Sequence, residues 1–246
     1  MLRVPRVFLA IILGAALIGI PTIATARGES GVARPRVTAA DLKPHIVQKF
    51  IPFGQKRKDQ MAAYSKRHYG VRSYRLTDPH VVVEHYTAGT SWKSAWNYFA
   101  ANVPDLGELP GVCAQFIISR TGTIFQTVPL GIRCRHAVGL NYTAFGIEHV
   151  GTSDQQVLNN AAEMRSSLQL TLWLMAKYGI EVRNVIGHNE NRNSPYHHEL
   201  YPSWQCQTHS DFVRKDMQTY RSLLREKAKA AGVPIGPKPE WATINC

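Results

Sequence analysis

The 246-residue sequence has few acidic residues for its number of basic ones. Its 29 lysines and arginines against 17 aspartates and glutamates give a formal net charge of +12 at pH 7. It also lacks zinc-finger spacing, a heptad-linked basic region and a recognition-helix pattern, so we expect no nucleic-acid partner. No internal repeat is present. A basic chain without these motifs is expected to be attracted to anionic polymers, such as cell-wall carboxylates and phosphates.

Long hydrophobic runs are absent after the first residues of the chain. The one such run, VFLAIILGAALIGI, follows Arg3 and Arg6 and precedes the small residues ATA at 24–26. This order predicts a secretory signal peptide over 1–26, and the run is short for a membrane span. An uncleaved N-terminal anchor would have the same pattern. Cleavage would leave a charge of about +10, on a protein that is secreted to the exterior or the cell wall and not stably inserted in a membrane.

Cysteine is scarce, and its four positions form no C-x-x-C pair. Four cysteines in an exported protein favour disulfides and allow three connectivities. We favour Cys113–Cys134, since these residues bracket a predicted hairpin. Cys206–Cys246 would then tie the C-terminal tail to a histidine-rich loop.

Length and composition indicate one sizeable domain with a proper core. Strand and helix patterns alternate along the chain, which predicts a single α/β domain with a central mixed β-sheet flanked by helices. The predicted organisation is a basic leader at 27–60, a catalytic domain at 61–228 and a tail at 229–246 that is tethered by Cys246.

The individual elements follow from hydrophobic spacing and turn residues. The patterns predict strands at 80–88, 144–151 and 179–188, and a hairpin at 113–129 that turns at Gly122. They also predict helices that follow Ser91, extend from Ser153 to Tyr178, and close the domain over 211–231.

Two histidines and a glutamate fall on these predicted strands. His85 and His188 lie where the first and last strands end, and Glu148 lies inside the apolar stretch FGIEHV. A carboxylate in such a stretch costs free energy unless it is paired or functional. Two imidazoles and a third group from the loop after His188 would form a three-ligand catalytic zinc site with one open position. Taken singly, each histidine could be a hydrogen-bonded rim residue, and Glu148 could be paired with an arginine.

Four sequence motifs contain or flank these residues. HYTAG, CAQFIISRTGTIFQTVP, RHAVGLNYTAFGIEHVG and VIGHNE occur in an order and spacing that resemble the zinc-dependent N-acetylmuramoyl-L-alanine amidases. The resemblance covers about residues 79–225 and is greatest to the group of the T7-type lysozyme and the peptidoglycan recognition proteins. It implies a hydrolase that cleaves the amide between N-acetylmuramic acid and L-alanine, with His85 and His188 as zinc ligands and Glu148 as the catalytic glutamate.

The third ligand departs from the family pattern, which usually places Asp or Cys in this segment. Here the matching stretch reads CQTHSDF, and we favour His209. Asp211 could instead be the ligand, or the acceptor that orients an imidazole. His198, which lies nearer the usual distance from His188, and Cys206 could also fill this role.

The resemblance also bears on the residues that contact the substrate. Two residues before the third ligand, several relatives have a lysine that stabilises the oxyanion, whereas this chain has Gln207 if His209 is the ligand. We expect substrate contacts from the following side chains: Tyr86, His136, His197 and His198. The implied partner is peptidoglycan, bound by a monomer.

The sequence leaves two further functions open. A non-catalytic peptidoglycan-binding protein would keep the groove but lose a zinc ligand. A cell-wall peptidase would cut within the stem peptide and give different products. The loop around His197 could also be an exposed polar insertion that binds no metal.

Overall fold

The computed structural model describes residues 37–242, so the predicted signal peptide and Cys246 lie outside the described residues. The helices are α1 (Ala39–Leu42), α2 (Gln55–Tyr69), α3 (Trp92–Ala101), α4 (Asp154–Leu158), α5 (Ala161–Tyr178) and α6 (Arg214–Ala231). The strands are β1 (Ile46–Gln48), β2 (Val81–Tyr86), β3 (Phe116–Ile118), β4 (Ile124–Gln126), β5 (Ala144–His149) and β6 (Val185–Gly187). Short 3-10 turns cover Val182–Asn184, His188–Asn193 and Pro202–Trp204.

The strands form one mixed sheet in the order β1-β4-β3-β5-β2-β6. Strands β3 and β4 form the predicted antiparallel hairpin, and the other neighbouring pairs are parallel. Gly122 turns this hairpin with a φ of +83°, a conformation that glycine adopts without steric cost. The single α/β domain with a mixed sheet is therefore confirmed.

The central strand β2 is buried on both faces. Val82 packs into the main core with residues of α5 and α6, while Val81 and Val83 pack on the opposite side near Leu140. Burial on both faces explains why the strand reads as a continuous apolar run instead of an alternating one.

The long helix predicted from Ser153 to Tyr178 is divided into α4 and α5. Ser153 accepts a hydrogen bond from the Gln156 amide, as the capping pattern predicted. The Asn160 side chain then accepts hydrogen bonds from the amides of Ala162 and Glu163, which starts a second helix. Asparagine favours such N-cap positions because its side chain competes with helical backbone bonding.

The segments on either side of the predicted domain also contribute to it. In the predicted leader, β1 pairs with β4 at the sheet edge, and α2 begins at Gln55. In the tail, the Ala242 amide donates to the Asn193 carbonyl, and the Trp241 ring lies 4.4 Å from the Arg214 guanidinium. The tail is therefore held in place by contacts of Trp241 and Ala242 as well as by any bond to Cys246. No helix within residues 37–242 is long and apolar enough to cross a bilayer.

Candidate active site

Three adjacent strands bring the predicted polar residues to one edge of the sheet. His85 in β2 is directly opposite Glu148 in β5, and these two strands run parallel. Strand β6 pairs with β2 through Gly187 and Glu84, so His188 follows at the same end. Because the carboxyl ends of parallel strands meet at one edge, residues far apart in sequence converge there.

The segment that carries Asp211 passes close to these strand ends. A Cβ at Gly187 would lie 1.8 Å from the Phe212 carbonyl oxygen, so only glycine allows this approach. The Asp154 carboxylate accepts hydrogen bonds from the amides of Phe212 and Val213 at 2.7 and 2.9 Å. These two contacts fix the backbone immediately after Asp211. Asp154 was not predicted as a site residue, because its position at the start of α4 resembles that of any helix-capping acid.

The side chain of Asp211 lies between the two strand-end histidines. Its carboxylate oxygens are each 3.1 Å from an imidazole Nδ1, one of His85 and one of His188. All three residues are buried, and their donor atoms lie within 4.8 Å of one another. Ligands about 2.1 Å from one tetrahedral zinc ion lie about 3.4 Å apart, so this spacing suits a shared cation.

His209, the favoured third ligand, is not part of this group. Its ring stacks on the His188 ring with centroids 4.5 Å apart, and the residue is exposed at the cavity wall. It is Asp211 that lies between the histidines, and His198 and Cys206 are also outside the group. The physical reason is the tight path at Gly187, which brings position 211 rather than 209 to the sheet edge.

A chain of hydrogen bonds sets the tautomer of His85. The Nε2 atom of His136 is 3.4 Å from the Ala144 carbonyl, which can only accept, so this nitrogen carries the hydrogen. Nδ1 of neutral His136 then accepts from Nε2 of His85 at 3.1 Å. Nδ1 of His85 is left with a lone pair that faces the Asp211 carboxylate. A cation between these two acceptors would satisfy both, which supports a metal site.

Burial and neighbouring charges favour the protonation states that a metal requires. Burial, reinforced by His188, lowers the pKa of His85 to about 4. Burial also places the pKa of His136 well below its usual value, and the nearby His85 and His188 add to this effect. Burial acts to raise the pKa of Asp211, but the His188 and His85 rings that face its carboxylate outweigh this effect and lower the pKa. Neutral imidazoles and an ionised carboxylate are the metal-binding forms.

Glu148 lies beside the three-residue group with an unused oxygen. Its Oε2 atom is buried and has no hydrogen-bond partner within the part of the chain that the structure describes. Burial, with a smaller contribution from the charge of Asp211, raises its pKa to about 8. A carboxylate that holds a proton this readily suits proton transfer near neutral pH.

A cavity of about 670 Å³ opens over this group. The predicted residues Tyr86, His136, Gln207 and His209 line it, together with Glu148, Asp211 and both strand-end histidines. The Oε1 atom of Gln207 is buried and has no partner among the described residues. Predicted substrate contacts from these residues thus remain geometrically feasible.

His197 and His198 do not line the cavity. A Cβ at Gly139 would lie 2.3 Å from the His197 ring, so this ring fills the space beside a glycine. The His198 amide donates to the Gly139 carbonyl, and its ring lies 6.2 Å from the Tyr142 ring. In this arrangement both histidines hold their own loop against the domain. The high histidine content of this loop therefore did not identify the site.

One disulfide lies at the wall of the cavity. Cys113 and Cys134 are bonded, as predicted, and Cys113 lines the cavity. The second predicted pair includes Cys246 and lies outside the described residues. The disulfide holds Arg135 and His136 next to the segment that leads into β3, where the Cys113 amide donates to the Arg135 carbonyl.

Comparison with known proteins adds to this geometry. The family model for N-acetylmuramoyl-L-alanine amidase (Amidase_2) matches residues 75–199. A comparison with curated proteins finds no match. Among solved structures, the amidase LysC from Clostridium intestinale is 24% identical over 59% of this chain and 83% of its own, with a TM-score of 0.44. A mutant endolysin from Bacillus subtilis is 21% identical over 74% of this chain and 98% of its own, with a TM-score of 0.47.

Proposed function

Because the chain belongs to the N-acetylmuramoyl-L-alanine amidase family, we propose that it is a zinc-dependent hydrolase of peptidoglycan. The bond cleaved is the amide between the lactyl group of N-acetylmuramic acid and L-alanine of the stem peptide. The observation that carries this proposal is the convergence of His85, His188 and Asp211 beside the unpartnered oxygen of Glu148.

The metal would be held by Nδ1 of His85, Nδ1 of His188 and the Asp211 carboxylate. This set of two imidazoles and one carboxylate leaves a coordination position open, as catalytic zinc sites do. When bound, zinc supplies Lewis-acid catalysis, which polarises the amide carbonyl and makes water a stronger acid.

Glu148 is the proton carrier in this mechanism. Its free oxygen accepts the proton of the attacking water and delivers that proton to the leaving amine. Buried surroundings exclude competing solvent and raise its proton affinity, which supports both transfers. Amine departure needs this proton because an unprotonated amide nitrogen is a poor leaving group.

His209 is the side chain best placed to stabilise the developing oxyanion. With Asp211 as the third ligand, the position two residues before it is His209, where several relatives carry lysine. Its ring is exposed at the cavity wall and stacked on His188. Gln207, which the sequence predicted for this role, lines the same cavity and offers a neutral amide donor.

The cellular setting of the reaction follows from sequence features. We propose that the protein is secreted after removal of residues 1–26 and acts as a monomer on the cell wall. Its excess of basic residues supports attraction to an anionic polymer. The Cys113–Cys134 disulfide supports an oxidising compartment.

A muropeptide digest tests the proposal. Purified protein is incubated with peptidoglycan, with and without a chelator, and the products are identified by mass spectrometry. We expect free stem peptides that begin with L-alanine, no product in chelator, and recovery when zinc is restored. Products cut within the stem would indicate a peptidase, and binding without products would indicate a recognition protein.

The matched variant is Glu148→Gln. It keeps the size of the side chain but removes the proton acceptor, so we expect metal content to be retained and turnover to fall about 10²-fold or more. Full turnover by a folded, zinc-loaded Glu148→Gln protein would remove Glu148 from the mechanism.

A further inference from the structure

A tight turn forms one wall of the cavity. Asp105 and Glu108 exchange two backbone hydrogen bonds of 3.1 and 3.0 Å around Leu106 and Gly107. Both central residues have positive φ, +50° for Leu106 and +75° for Gly107. This is the requirement of a two-residue type I′ turn, which strongly favours asparagine or glycine at its first central position.

Leucine is a poor residue for this position on two grounds. The left-handed backbone conformation brings its Cβ close to a carbonyl oxygen, which costs free energy for any residue other than glycine. In addition, the side chain is 60% exposed, so burial in the fold does not offset this cost. The choice of leucine therefore needs an explanation outside the stability of the chain itself.

Two arginines also hold the turn in place. Arg135, only 3% exposed, donates hydrogen bonds to the carbonyls of Asp105, Glu108 and Pro110 and to the Asp105 carboxylate. The Glu108 carboxylate is paired with Arg67 at 2.6 Å. A leucine presented by such a fixed turn has a defined position relative to the cavity.

That position is on the wall of the cavity that holds the reacting residues. Asp105 and Leu106 line the same cavity as Glu148 and His209, and Tyr98 of α3 lines it as well. The Tyr98 side chain is 49% exposed. The cavity thus has an apolar rim of one aliphatic and one aromatic side chain, both lacking cover from the protein.

We propose that Leu106 and Tyr98 form a subsite for the saccharide of the substrate, a specificity element that rests on the proposed amidase function. The acidic side chains of the turn are each paired with an arginine, Asp105 with Arg135 and Glu108 with Arg67. The turn therefore presents no uncompensated charge to the carboxylates of the stem peptide, and its apolar rim suits a neutral N-acetylated sugar. Sugar hydroxyl and acetamido N–H groups can donate to the Asp105 carboxylate, while ring C–H and acetyl methyl groups contact Leu106 and Tyr98.

The decisive variant is Leu106→Asn, because the turn and the substrate place opposite demands on this residue. Asparagine fits the turn, so we expect the Tm to rise by about 2–4 °C. It removes the apolar contact, so we expect kcat/KM for a disaccharide tetrapeptide to fall about tenfold, mainly through KM. Leu106→Met should restore most of the affinity, and Leu223→Asn, which alters an exposed leucine of α6, should leave KM unchanged.

Two further measurements separate this inference from the function on which it rests. Titration of disaccharide muropeptides into the Glu148→Gln protein measures binding without turnover. Weaker binding by the double variant that carries both Leu106→Asn and Glu148→Gln would support the subsite, even if the protein cleaves nothing. Comparison of dipeptide with tetrapeptide stems locates the contact, since a saccharide contact gives the same loss for both. Unchanged binding, a lower Tm, or a loss that disappears with the shorter stem would overturn the proposal.

Discussion

Asp211 and His209 lie two residues apart and have different surroundings. The Asp211 carboxylate is buried between the Nδ1 atoms of two histidines, whereas the His209 ring is exposed and only stacks on His188. The strand-end placement of His85, Glu148 and His188 could be predicted because it follows from the hydrophobic pattern of their strands. The placement of Asp211 could not, because it depends on a loop path set by Gly187 and Asp154.

The two positions should therefore respond differently to substitution. We expect Asp211→Ala to lose zinc at concentrations that saturate the unaltered protein. His209→Ala should keep one zinc per chain while kcat falls about 10²–10³-fold, since it removes only an oxyanion donor. Metal analysis after dialysis, together with circular dichroism to confirm folding, measures the first effect. Zinc loss in His209→Ala with retention in Asp211→Ala would reverse the assignment.

His136 acts on the metal site through His85. Its Nδ1 atom accepts the hydrogen bond that leaves the other nitrogen of His85 free. Replacement by leucine removes this acceptor, and we expect zinc affinity to fall about 10–100-fold, as for other residues that orient ligands. Glutamine retains an acceptor and should restore much of the affinity. Competition with a chromophoric chelator gives the dissociation constants; equal values for leucine, glutamine and histidine would mean that His136 serves the substrate alone.

At the scale of elements, most helices and strands could be predicted because hydrophobic period and capping residues agree. The division between α4 and α5 was missed because Ser153 and Asn160 both offer N-caps, and only tertiary packing decides whether the second is used. Strand β1 has only three residues, which is too short to show a hydrophobic period. Its pairing with β4 depends on contacts that the local sequence does not encode.

Glu163, in the first turn of α5, should make the free energy of unfolding depend on pH. Burial raises its pKa from 4.5 to about 7, against the effect of hydrogen bonds from Val150 and Asn160, and the residue is 1% exposed. Between these two pH values the folded protein holds a proton that the unfolded chain has released. The free energy of unfolding should thus decrease with rising pH in this window, by up to about 1.4 kcal/mol per pH unit from this group.

Glu163→Gln should remove that contribution. Urea unfolding at several pH values between about 4.5 and 7 would show a flatter profile than the unaltered protein. Glu226→Gln, which changes an exposed glutamate of α6, is the matched control and should leave the profile as it is. Parallel profiles for the Glu163 variant and the unaltered protein would contradict this expectation.

At the scale of the whole molecule, the excess of basic residues predicts salt-sensitive adsorption to peptidoglycan. Raising salt from about 0.1 M to about 1 M shortens the screening length from about 10 Å to about 3 Å. We expect the fraction bound to insoluble peptidoglycan to fall several-fold. Cleavage of a small soluble muropeptide should change much less. Adsorption that is independent of salt would mean that contacts in the groove, not overall charge, dominate binding.

The end of the described chain returns to the neighbourhood of the candidate metal site. Ala242 is bonded to Asn193, in the same 3-10 turn that begins with His188. A polyhistidine purification tag fused to the segment that follows Ala242 would bring additional imidazoles toward this turn. Zinc stoichiometry should therefore be measured on protein whose tag is elsewhere or has been removed.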